Sequence, residues 1–377
     1  MKLMHLSDLH IGKRLKDYSL IEDQKYIFEK ILEIMDEEQP DVVMIAGDVY
    51  DKPVPSAEAV SLFDEFLFDL SKRNKHIFVI SGNHDSPERI AFGGRLMASG
   101  IHMSPVYDGT VEPVLLDDEY GKIGIYMMPF VKPVHVRQYF EDETILNYTD
   151  AMRVAIENMN VDEGIRNVLI THQFVTGSQL DGDEELSVGG TDNVDASVFA
   201  GFDYVALGHI HRAQNAGGKT IRYSGTPLKY SFSENSNKSV TFVDLGVKGQ
   251  VEVYQRELEP LRDMVRLEGS FAQMTDRNYG ENRKHENDYV QVVLTDEDDI
   301  PDAYADLRKV FNRLMFISYN NKRTSYNQNI DGVDSVDDRK PYELFEELYR
   351  KQNNMDLSED QRKIVNKMIE EIWEGEE

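Results

Sequence analysis

The chain has 377 residues, of which 40% are hydrophobic and 29% are charged, and its formal net charge is −28. This composition is typical of a globular protein, and a domain size of roughly 100–200 residues predicts two or three domains. The absence of cysteine excludes disulfides, thiolate nucleophiles and thiolate zinc sites, and no apolar run reaches the roughly 18 residues of a membrane helix. We therefore expect a cytoplasmic protein with no membrane segment.

The negative charge argues against a protein that binds DNA on its own. Proteins that bind DNA on their own usually carry a basic surface, because phosphate contacts dominate their affinity. A chain with 69 acidic and 41 basic residues can still process DNA if metal ions and a few local cations face the substrate. A partner protein can also supply the basic surface.

Strand-like and helix-like runs alternate at the start of the chain. Short apolar runs predict buried strands, and apolar residues at helical spacing predict the helices between them. Ser56 is the candidate N-cap of the second helix. The predicted order is strand Leu3–Leu6, helix Ile21–Met35, strand Val42–Ala46, helix Ser56–Ser71 and strand Ile77–Ile80. Sheets of this β-α-β type place functional residues at the carboxyl ends of their strands.

A second group of elements follows residue 120, and its late strands are joined by glycine-containing turns that predict antiparallel hairpins. The fold class that accommodates both groups is α/β, with a two-layered sheet core flanked by helices. The elements are strand Ile123–Pro129, helix Thr149–Asn158, and strands Val168–Thr171, Tyr204–Leu207, Ile221–Ser224, Ser239–Leu245 and Val251–Gln255.

The composition changes at residues 280–288, which are polar and contain no large apolar side chain. Beyond them, strand Tyr289–Leu294, helix Asp302–Leu314 and strand Met315–Tyr319 predict a small α+β domain. Two amphipathic helices follow Pro341, and Ser358 with Gln361 forms a predicted capping box for the second. The expected domains are therefore a main domain (1–280), a small domain (281–325), a linker (326–340) and a helical tail (341–377).

Five short motifs carry metal-binding side chains, and each follows a strand-like run. A lone histidine is more often structural than metal-binding, but five of the ten histidines in the chain lie at strand ends beside Asp and Asn. These side chains should converge at one edge of the sheets. The motifs are Asp8-Leu9-His10, Gly47-Asp48, Gly82-Asn83-His84-Asp85, Thr171-His172 and Gly208-His209-Ile210-His211.

Seven of these side chains form a ligand set for two divalent ions bridged by one carboxylate. The first ion is assigned Asp8, His10, Asp48 and His211, and the second Asp48, Asn83, His172 and His209. Mixed nitrogen and oxygen ligands suit Mn, Fe, Zn or Co better than Mg or Ca. Paired divalent ions activate water for attack on phosphorus and stabilise the leaving oxygen, so the set predicts phosphoester hydrolysis.

Other residues near the motifs have predicted roles in the reaction. His84 is the candidate proton donor to the leaving oxygen, and Asp51 or Asp85 is the candidate group that orients its imidazole, unless Asp85 serves only the turn. Basic side chains follow the motifs and are candidates for contact with a DNA backbone, although a solvated surface is the simpler interpretation for each alone. They are Lys13, Arg14, Lys16, Lys52 and Arg89.

Residues Gly217-Gly218-Lys219-Thr220 look like the end of a nucleotide-binding Walker loop. That motif requires a glycine where this chain has Ala213, and it requires a helix afterwards. The stretch lies between two predicted strands instead. We interpret it as a hairpin turn and expect no ATP site on this chain.

The motif order resembles that of the calcineurin-like metallophosphoesterases. The flanking residues narrow the resemblance to the SbcD family of bacterial nuclease subunits, which is similar to the Mre-type double-strand-break repair nucleases. The resemblance covers nearly the whole chain and departs from the family in small ways, such as Ala213 in place of an expected proline. The stretches that carry it are Gly47–Pro55, Ser81–Gly93, Ser187–Asp192 and Phe202–Gln214.

The resemblance implies a manganese-dependent DNA nuclease. Such proteins degrade duplex ends from 3′ to 5′ and cut single strands and hairpins, in DNA repair, recombination and replication. They act with an SbcC-type coiled-coil ATPase in an assembly of two nuclease and two ATPase subunits. By the same resemblance, the small domain caps the metal site and sorts DNA, the helical tail binds the ATPase, and the helices near residues 55–70 and 87–97 form a homodimer.

Two alternatives remain open at this stage. Another phosphodiesterase or phosphatase of the same superfamily, acting on nucleotides or small phosphoesters, would share all five motifs but would not need the small domain and the tail. A metal-free scaffold of the same fold would bind only proteins. The full set of seven ligands argues against the scaffold.

Overall fold

The computed structural model describes residues 1–94, 100–180 and 193–321, together with residues scattered between 345 and 368. Contacts divide the chain into two compact units, residues 1–263 and 264–377. The first unit therefore contains all five motifs.

The strands of the first unit are β1 (Lys2–Leu6), β2 (Arg14–Leu15), β3 (Tyr18–Ser19), β4 (Val42–Ala46), β5 (His76–Ile80), β6 (Ile101–Met103), β7 (Val114–Asp118), β8 (Gly121–Met128), β9 (Arg166–His172), β10 (Phe174–Val175), β11 (Asn193–Val194), β12 (Tyr204–Gly208), β13 (Gln214–Asn215), β14 (Ile221–Tyr223), β15 (Ser239–Leu245) and β16 (Val251–Glu257). Its helices are α1 (Ile21–Glu38), α2 (Ala57–Ser71), α3 (Pro87–Ala91), α4 (Pro133–Arg137) and α5 (Tyr148–Glu157), with a short 3-10 helix at Ala196–Phe199.

Two six-stranded sheets make the core of this unit, in the orders β16-β15-β1-β4-β5-β6 and β13-β14-β12-β9-β8-β7. Strands β1, β4 and β5 run parallel to one another, as do β8, β9 and β12. An apolar cluster draws on both sheets, with Met44 and Phe78 from the first and Ile125 and Ile170 from the second. The predicted two-layered α/β architecture is therefore confirmed.

Several local predictions agree with the structure, although the helix expected at Asp302–Leu314 covers only Ala303–Leu307 and a strand already begins at Arg313. Helices α1 and α2 follow β1 and β4 as expected, and the rings of Phe28 and Phe66 stack between them with centroids 4.4 Å apart. The side chain of Ser56 accepts a hydrogen bond from the Ala59 backbone, which confirms the N-cap of α2. The β13–β14 pair is antiparallel, which confirms that the glycines between them form a hairpin turn.

The second unit begins earlier than the composition suggests. It contains β17 (Met264–Gly269), α6 (Phe271–Thr275), α7 (Gly280–Lys284), β18 (Tyr289–Leu294), α8 (Ala303–Leu307) and β19 (Arg313–Tyr319). Strand β17 pairs along its whole length with β18, in parallel, so the unit starts at Met264 rather than after residue 280. The polar stretch at 280–288 did not mark the boundary, because it contains the short helix α7 inside the unit.

The helical tail is described only in part. Ser358 and Gln361 exchange backbone-to-side-chain hydrogen bonds of 2.9 and 3.3 Å, as a capping box requires. The expected linker at 326–340 and the family-like stretch that starts at Pro341 lie outside the described residues, apart from Phe345. Within the described residues, no helix is both long enough and apolar enough to span a membrane.

Glu38 at the end of α1 ties this helix to the first sheet. Its carboxylate accepts hydrogen bonds from Tyr254 Oη (2.8 Å), Arg256 Nη1 (2.5 Å) and Lys2 Nζ (3.1 Å). The bond from Tyr254, followed by those from Arg256 and Lys2, lowers the pKa of Glu38 to about 2 from an ordinary value of 4.5. The charged carboxylate therefore stabilises the folded state above about pH 4.5, and this contribution is lost as the pH falls towards 2.

We expect Glu38→Gln to lower the melting temperature at pH 7, and the difference from wild type to shrink steadily between pH 5 and pH 3. Calorimetric or circular-dichroism melting across this range measures it. Glu33→Gln, in the same helix beside Lys30 on the surface, is the matched control and should change the melting temperature less. A Glu38→Gln deficit that stayed constant with pH would contradict the role given to the charge.

Candidate metal centre

The five motifs meet at one edge of the two packed sheets. Asp8, Asp48 and Asn83 lie just beyond the ends of β1, β4 and β5, while His172 ends β9 and His209 directly follows β12. Because the strands of each group are parallel, their carboxyl ends share one edge, and the packing of the sheets brings the two edges together.

All seven predicted ligands lie close together in the described structure. Three sets of side chains each place their ligand atoms within 4.8 Å of one another: Asp8, His10 and His211; Asp8, Asp48 and His172; and His10, Asp48 and His84. Asn83 joins the group through its Oδ1, which is 2.9 Å from His172 Nε2 and 3.0 Å from His209 Nδ1. How these side chains divide between two ions stays a prediction, since Asp8 and Asp48 each belong to two of the three sets.

Asp48 lies at the centre of the group and is only 2% exposed. Its Oδ2 is 3.4 Å from His172 Nε2 and 3.7 Å from His10 Nε2, and its Oδ1 accepts the His84 backbone N–H at 2.8 Å. Burial favours the protonated carboxyl, but the surrounding imidazoles, led by His172, outweigh burial and hold the pKa of Asp48 below its ordinary value. Asp48 is thus a buried carboxylate that stays charged.

Asp8 is fully buried and is fixed by neighbouring donors. It accepts hydrogen bonds from the His209 backbone N–H at 3.0 Å and from Ser7 Oγ at 2.5 Å. Burial raises the pKa of Asp8 to about 6, with a further increase from the charge of Asp48. Two carboxylates in one dry site repel each other, and a cation between them relieves that repulsion.

The imidazoles offer nitrogen atoms to such a cation. Burial holds the pKa of His10 well below its ordinary value and lowers that of His209 to about 3, so both rings are neutral. Burial also lowers the pKa of His172, but the Asp48 charge outweighs it and raises the value to about 9. Neither ring nitrogen of His10, which is 1% exposed, has a hydrogen-bond partner among the described residues. Buried lone pairs beside carboxylates fit a divalent metal ion.

The glycines of the motifs are required by the close approach of the strand ends. A Cβ atom on Gly208 would overlap the Ala46 carbonyl oxygen and lie 2.6 Å from His172 Nδ1. A Cβ atom on Gly47 would overlap the same imidazole and lie 2.9 Å from the Gly82 backbone. The Ala46 carbonyl in turn accepts a hydrogen bond from His172 Nδ1 at 2.8 Å, which leaves Nε2 for a metal ion. Side chains at these positions would push the sheets apart.

The loop after β1 carries strained backbone that its neighbours hold in place. Asp8 and His10 have positive φ angles of 53° and 43°, a region that non-glycine residues rarely occupy. Gln24 Nε2 donates to the carbonyl oxygens of Leu9 (3.2 Å) and His10 (2.8 Å), and Tyr230 Oη donates to Leu9 O at 2.5 Å. No sequence pattern points to Gln24 and Tyr230, because neither belongs to a motif and Tyr230 is more than 200 residues from the loop.

The environment of His84 differs in detail from the expectation. Its Nδ1 is 3.2 Å from the backbone carbonyl oxygen of Asp51, so the recorded contact with Asp51 is not through the carboxylate. The Asp51 carboxylate lies 3.1 Å from Lys13 Nζ and 3.9 Å from His10 Nδ1. Asp85 accepts the backbone N–H groups of Val49, Tyr50 and Gly82 at 2.9–3.0 Å. Asp85 therefore holds the loops after β4 and β5 together, which corresponds to the turn-stabilising role expected for it if it does not orient His84.

Three of the five candidate DNA-contacting residues lie near the loops that carry the motifs. Arg14, Lys16, Lys52 and Arg89 are exposed, and Lys13 is partly buried against Asp51. Arg14 and Lys52 line a cavity of about 310 Å³ next to the loop after β1. The geometry allows these side chains to face an extended anion, and their contact with DNA stays a prediction.

Two family models and a full-length relative match this chain. Residues 1–213 match the family model for calcineurin-like phosphoesterases, and residues 260–353 match a model described as the type 5 capsule protein repressor C-terminal domain. The chain is 30% identical to the D subunit of the nuclease SbcCD from Staphylococcus epidermidis over 382 residues, which cover 100% of both chains. That relative therefore spans both units.

Solved structures with similar chains include a Thermus thermophilus protein, with 11% identity, a TM-score of 0.37, and coverage of 67% of this chain and 98% of that one. They also include a dimetal phosphatase from Danio rerio, with 10% identity, a TM-score of 0.41, and coverage of 69% and 98%. These similarities are too distant to support an assignment for any residue.

We expect Gly208→Ala to destabilise the protein by at least about 2 kcal/mol and to weaken metal binding, because the added methyl group separates β12 from β4. Chemical denaturation and metal titration of the purified variant measure the two effects. Gly218→Ala is the matched control, since its Cβ would meet only Ile221 Cδ1 at 3.8 Å within 4 Å, and it should change stability by less than about 0.5 kcal/mol. Equal stability of the two variants would contradict the close-approach argument.

Proposed function

This chain belongs to the calcineurin-like phosphoesterase family and, within it, to the SbcD-type nuclease subunits, and from that membership we propose that it is a metal-dependent DNA nuclease. The observation that carries the proposal is the cluster of buried carboxylates and imidazoles at the joined sheet edges. Its donors are nitrogen and oxygen without sulfur, which suits manganese. The reaction we propose is phosphodiester hydrolysis at two divalent ions.

Different residues of the chain have different roles in the proposed reaction. Two bound divalent ions supply Lewis-acid stabilisation of the phosphoryl oxygens and lower the pKa of water. Asp8, His10, Asp48 and His211 would hold one ion, and Asp48, Asn83, His172 and His209 would hold the other. Asp48 keeps its charge despite burial, which suits a ligand shared by both. The strained loop after β1 is fixed in advance by Gln24 and Tyr230, so the ligands need little rearrangement.

His84 is the proposed general acid. It belongs to the same group of side chains as His10 and Asp48, and its ring contacts that of His10 edge to face with centroids 4.9 Å apart. The Asp51 carbonyl oxygen near His84 Nδ1 fixes the proton on that nitrogen, so Nε2 can exchange a proton with the leaving oxygen. We propose that Asp51 also positions Lys13, which together with Arg14, Lys16, Lys52 and Arg89 contacts the DNA backbone.

The proposal extends to partners and activities. The full-length relative is named as a subunit of the SbcCD nuclease, and we propose that this chain likewise pairs with an SbcC-type ATPase, as a homodimer within a two-plus-two assembly. The proposed activities are 3′ to 5′ exonuclease on duplex ends and endonuclease on single strands and hairpins, in cytoplasmic DNA repair, recombination and replication. The second unit would cap the site and the tail from 341 would bind the ATPase.

The test is a Mn²⁺-dependent assay with and without the co-purified ATPase, on end-labelled hairpin and duplex DNA, beside a small chromogenic phosphodiester. We expect cleavage of the hairpin and shortening of the duplex from its 3′ ends, with loss of both activities on chelation. Hydrolysis of the small diester without any DNA cleavage, even with the partner present, would instead identify a small-substrate phosphodiesterase. A protein that does not bind Mn²⁺ would contradict both the DNA nuclease and the small-substrate phosphodiesterase.

We expect His84→Gln to lower DNA cleavage by about 10²–10⁴-fold, the usual contribution of a general acid, while leaving the bound metal content unchanged. Elemental analysis of the purified variant and single-turnover cleavage measure the two quantities. His135→Gln, the same substitution at an exposed position of α4, is the control and should cleave at the wild-type rate. Loss of metal from His84→Gln would make His84 a ligand rather than the acid.

A further inference from the structure

A buried ion pair lies behind the metal centre, in the connection between β14 and β15. Lys238 Nζ is 2.5 Å from Glu234 Oε2, and the two side chains are 7% and 0% exposed. Removing two charges from water costs several kcal/mol per ion unless other contacts compensate for it. A buried pair at this position therefore calls for a reason beyond stability.

Both members of the pair contact the metal-ligand candidate His211. Lys238 Nζ donates a hydrogen bond to the His211 carbonyl oxygen at 2.9 Å. Glu234 Oε1 lies 3.4 Å from His211 Nδ1 and also accepts the Tyr230 backbone N–H at 3.1 Å. The Tyr230 ring packs edge to face against the His211 ring at 6.3 Å. The backbone, the ring nitrogen and the ring face of His211 are thus each contacted by the same short segment.

We propose that Glu234 is the positioning residue of His211, with Lys238 as its counter-ion. The Glu234 carboxylate, 3.4 Å from His211 Nδ1, favours the tautomer that carries its proton on Nδ1, which leaves the lone pair of Nε2 for a metal ion and favours one orientation of the ring. Lys238 balances the buried charge and fixes the backbone of the same histidine. This inference rests on the proposed function, since it gives a preset geometry to His211, one of the four ligands proposed for the first ion.

If the Glu234–Lys238 pair only stabilised the fold, its removal would have a different effect on metal affinity. If the pair only tied residues 226–238 together, its replacement by uncharged side chains of similar size would change stability and leave metal affinity alone. If it orients His211, the same replacement would weaken one metal site even in a fully folded protein. Loss of such outer contacts typically costs about 10–100-fold in metal affinity.

The experiment compares the full-length wild type with the double variant Glu234→Gln/Lys238→Met, which removes both charges together and leaves neither unpaired. Mn²⁺ binding is followed by calorimetric titration and by the electron paramagnetic resonance signal of the coupled ion pair. The matched control is Lys229→Met/Asp263→Asn, a neighbouring ion pair of 2.9 Å in the same unit. We expect one of two Mn²⁺ sites to weaken by about 10–100-fold in the first variant, with the coupled signal reduced, and the control to bind as wild type.

Unchanged Mn²⁺ affinity in a folded Glu234→Gln/Lys238→Met protein, or an equal loss in the control, would overturn the proposal. If that variant does not fold, Glu234→Asp replaces it, because it keeps the charge beside Lys238 and withdraws the carboxylate from His211. A folded Glu234→Asp protein with a weakened Mn²⁺ site supports the proposal, and one with wild-type affinity overturns it. These measurements do not involve DNA, so a wild type that binds two Mn²⁺ ions and cuts no DNA would contradict the proposed function alone.

Discussion

The crowding of two buried carboxylates against a group of buried imidazoles is the constraint on which the rest of this structure depends. Asp8 and Asp48 lie at the same edge, out of contact with water, and burial together with their mutual repulsion raises the pKa of Asp8. Burial keeps His10 and His209 neutral, so these two rings do not offset the negative charge, whereas His172, with its raised pKa, offsets part of it. Divalent cations satisfy carboxylates and neutral nitrogens at once, which is why the arrangement suits a metal centre better than a stable polar core.

The same constraint explains the backbone around the site. The ligands can converge only if the two sheets approach closely, and Gly47 and Gly208 leave the necessary space between them, while Gly82 leaves space for Asp48 within the first sheet. The loop after β1 turns through left-handed conformations that cost energy for non-glycine residues. Gln24 and Tyr230 hold that loop by hydrogen bonds to its carbonyl groups. The strained backbone at the site is thus held by two side chains that are not themselves proposed metal ligands.

The acidic composition of the chain is compatible with this chemistry because a few basic side chains lie close to the loops that carry the metal-ligand candidates. Lys13 lies beside Asp51, and Arg14 and Lys52 line the cavity next to the strained loop. Electrostatic attraction of a polyanion depends on cations within roughly one Debye length, about 8 Å at physiological salt, rather than on the charge of the whole chain. The proposed ATPase partner would add to this attraction, and the net charge of −28 is then no obstacle to a DNA substrate.

The sequence by itself determined the strands β1, β4, β5, β9 and β12, the Ser56 N-cap and the seven ligand candidates, because apolar periodicity and strand-end motifs are local signals. It did not locate the start of the second unit, since β17 is a strand only through its pairing with β18. Which atom of Asp51 faces His84, and which residues brace the site, also depend on contacts between distant segments. Gln24, Tyr230 and Glu234 acquire their roles only when the fold brings them to the motifs, so the tertiary structure alone decided them.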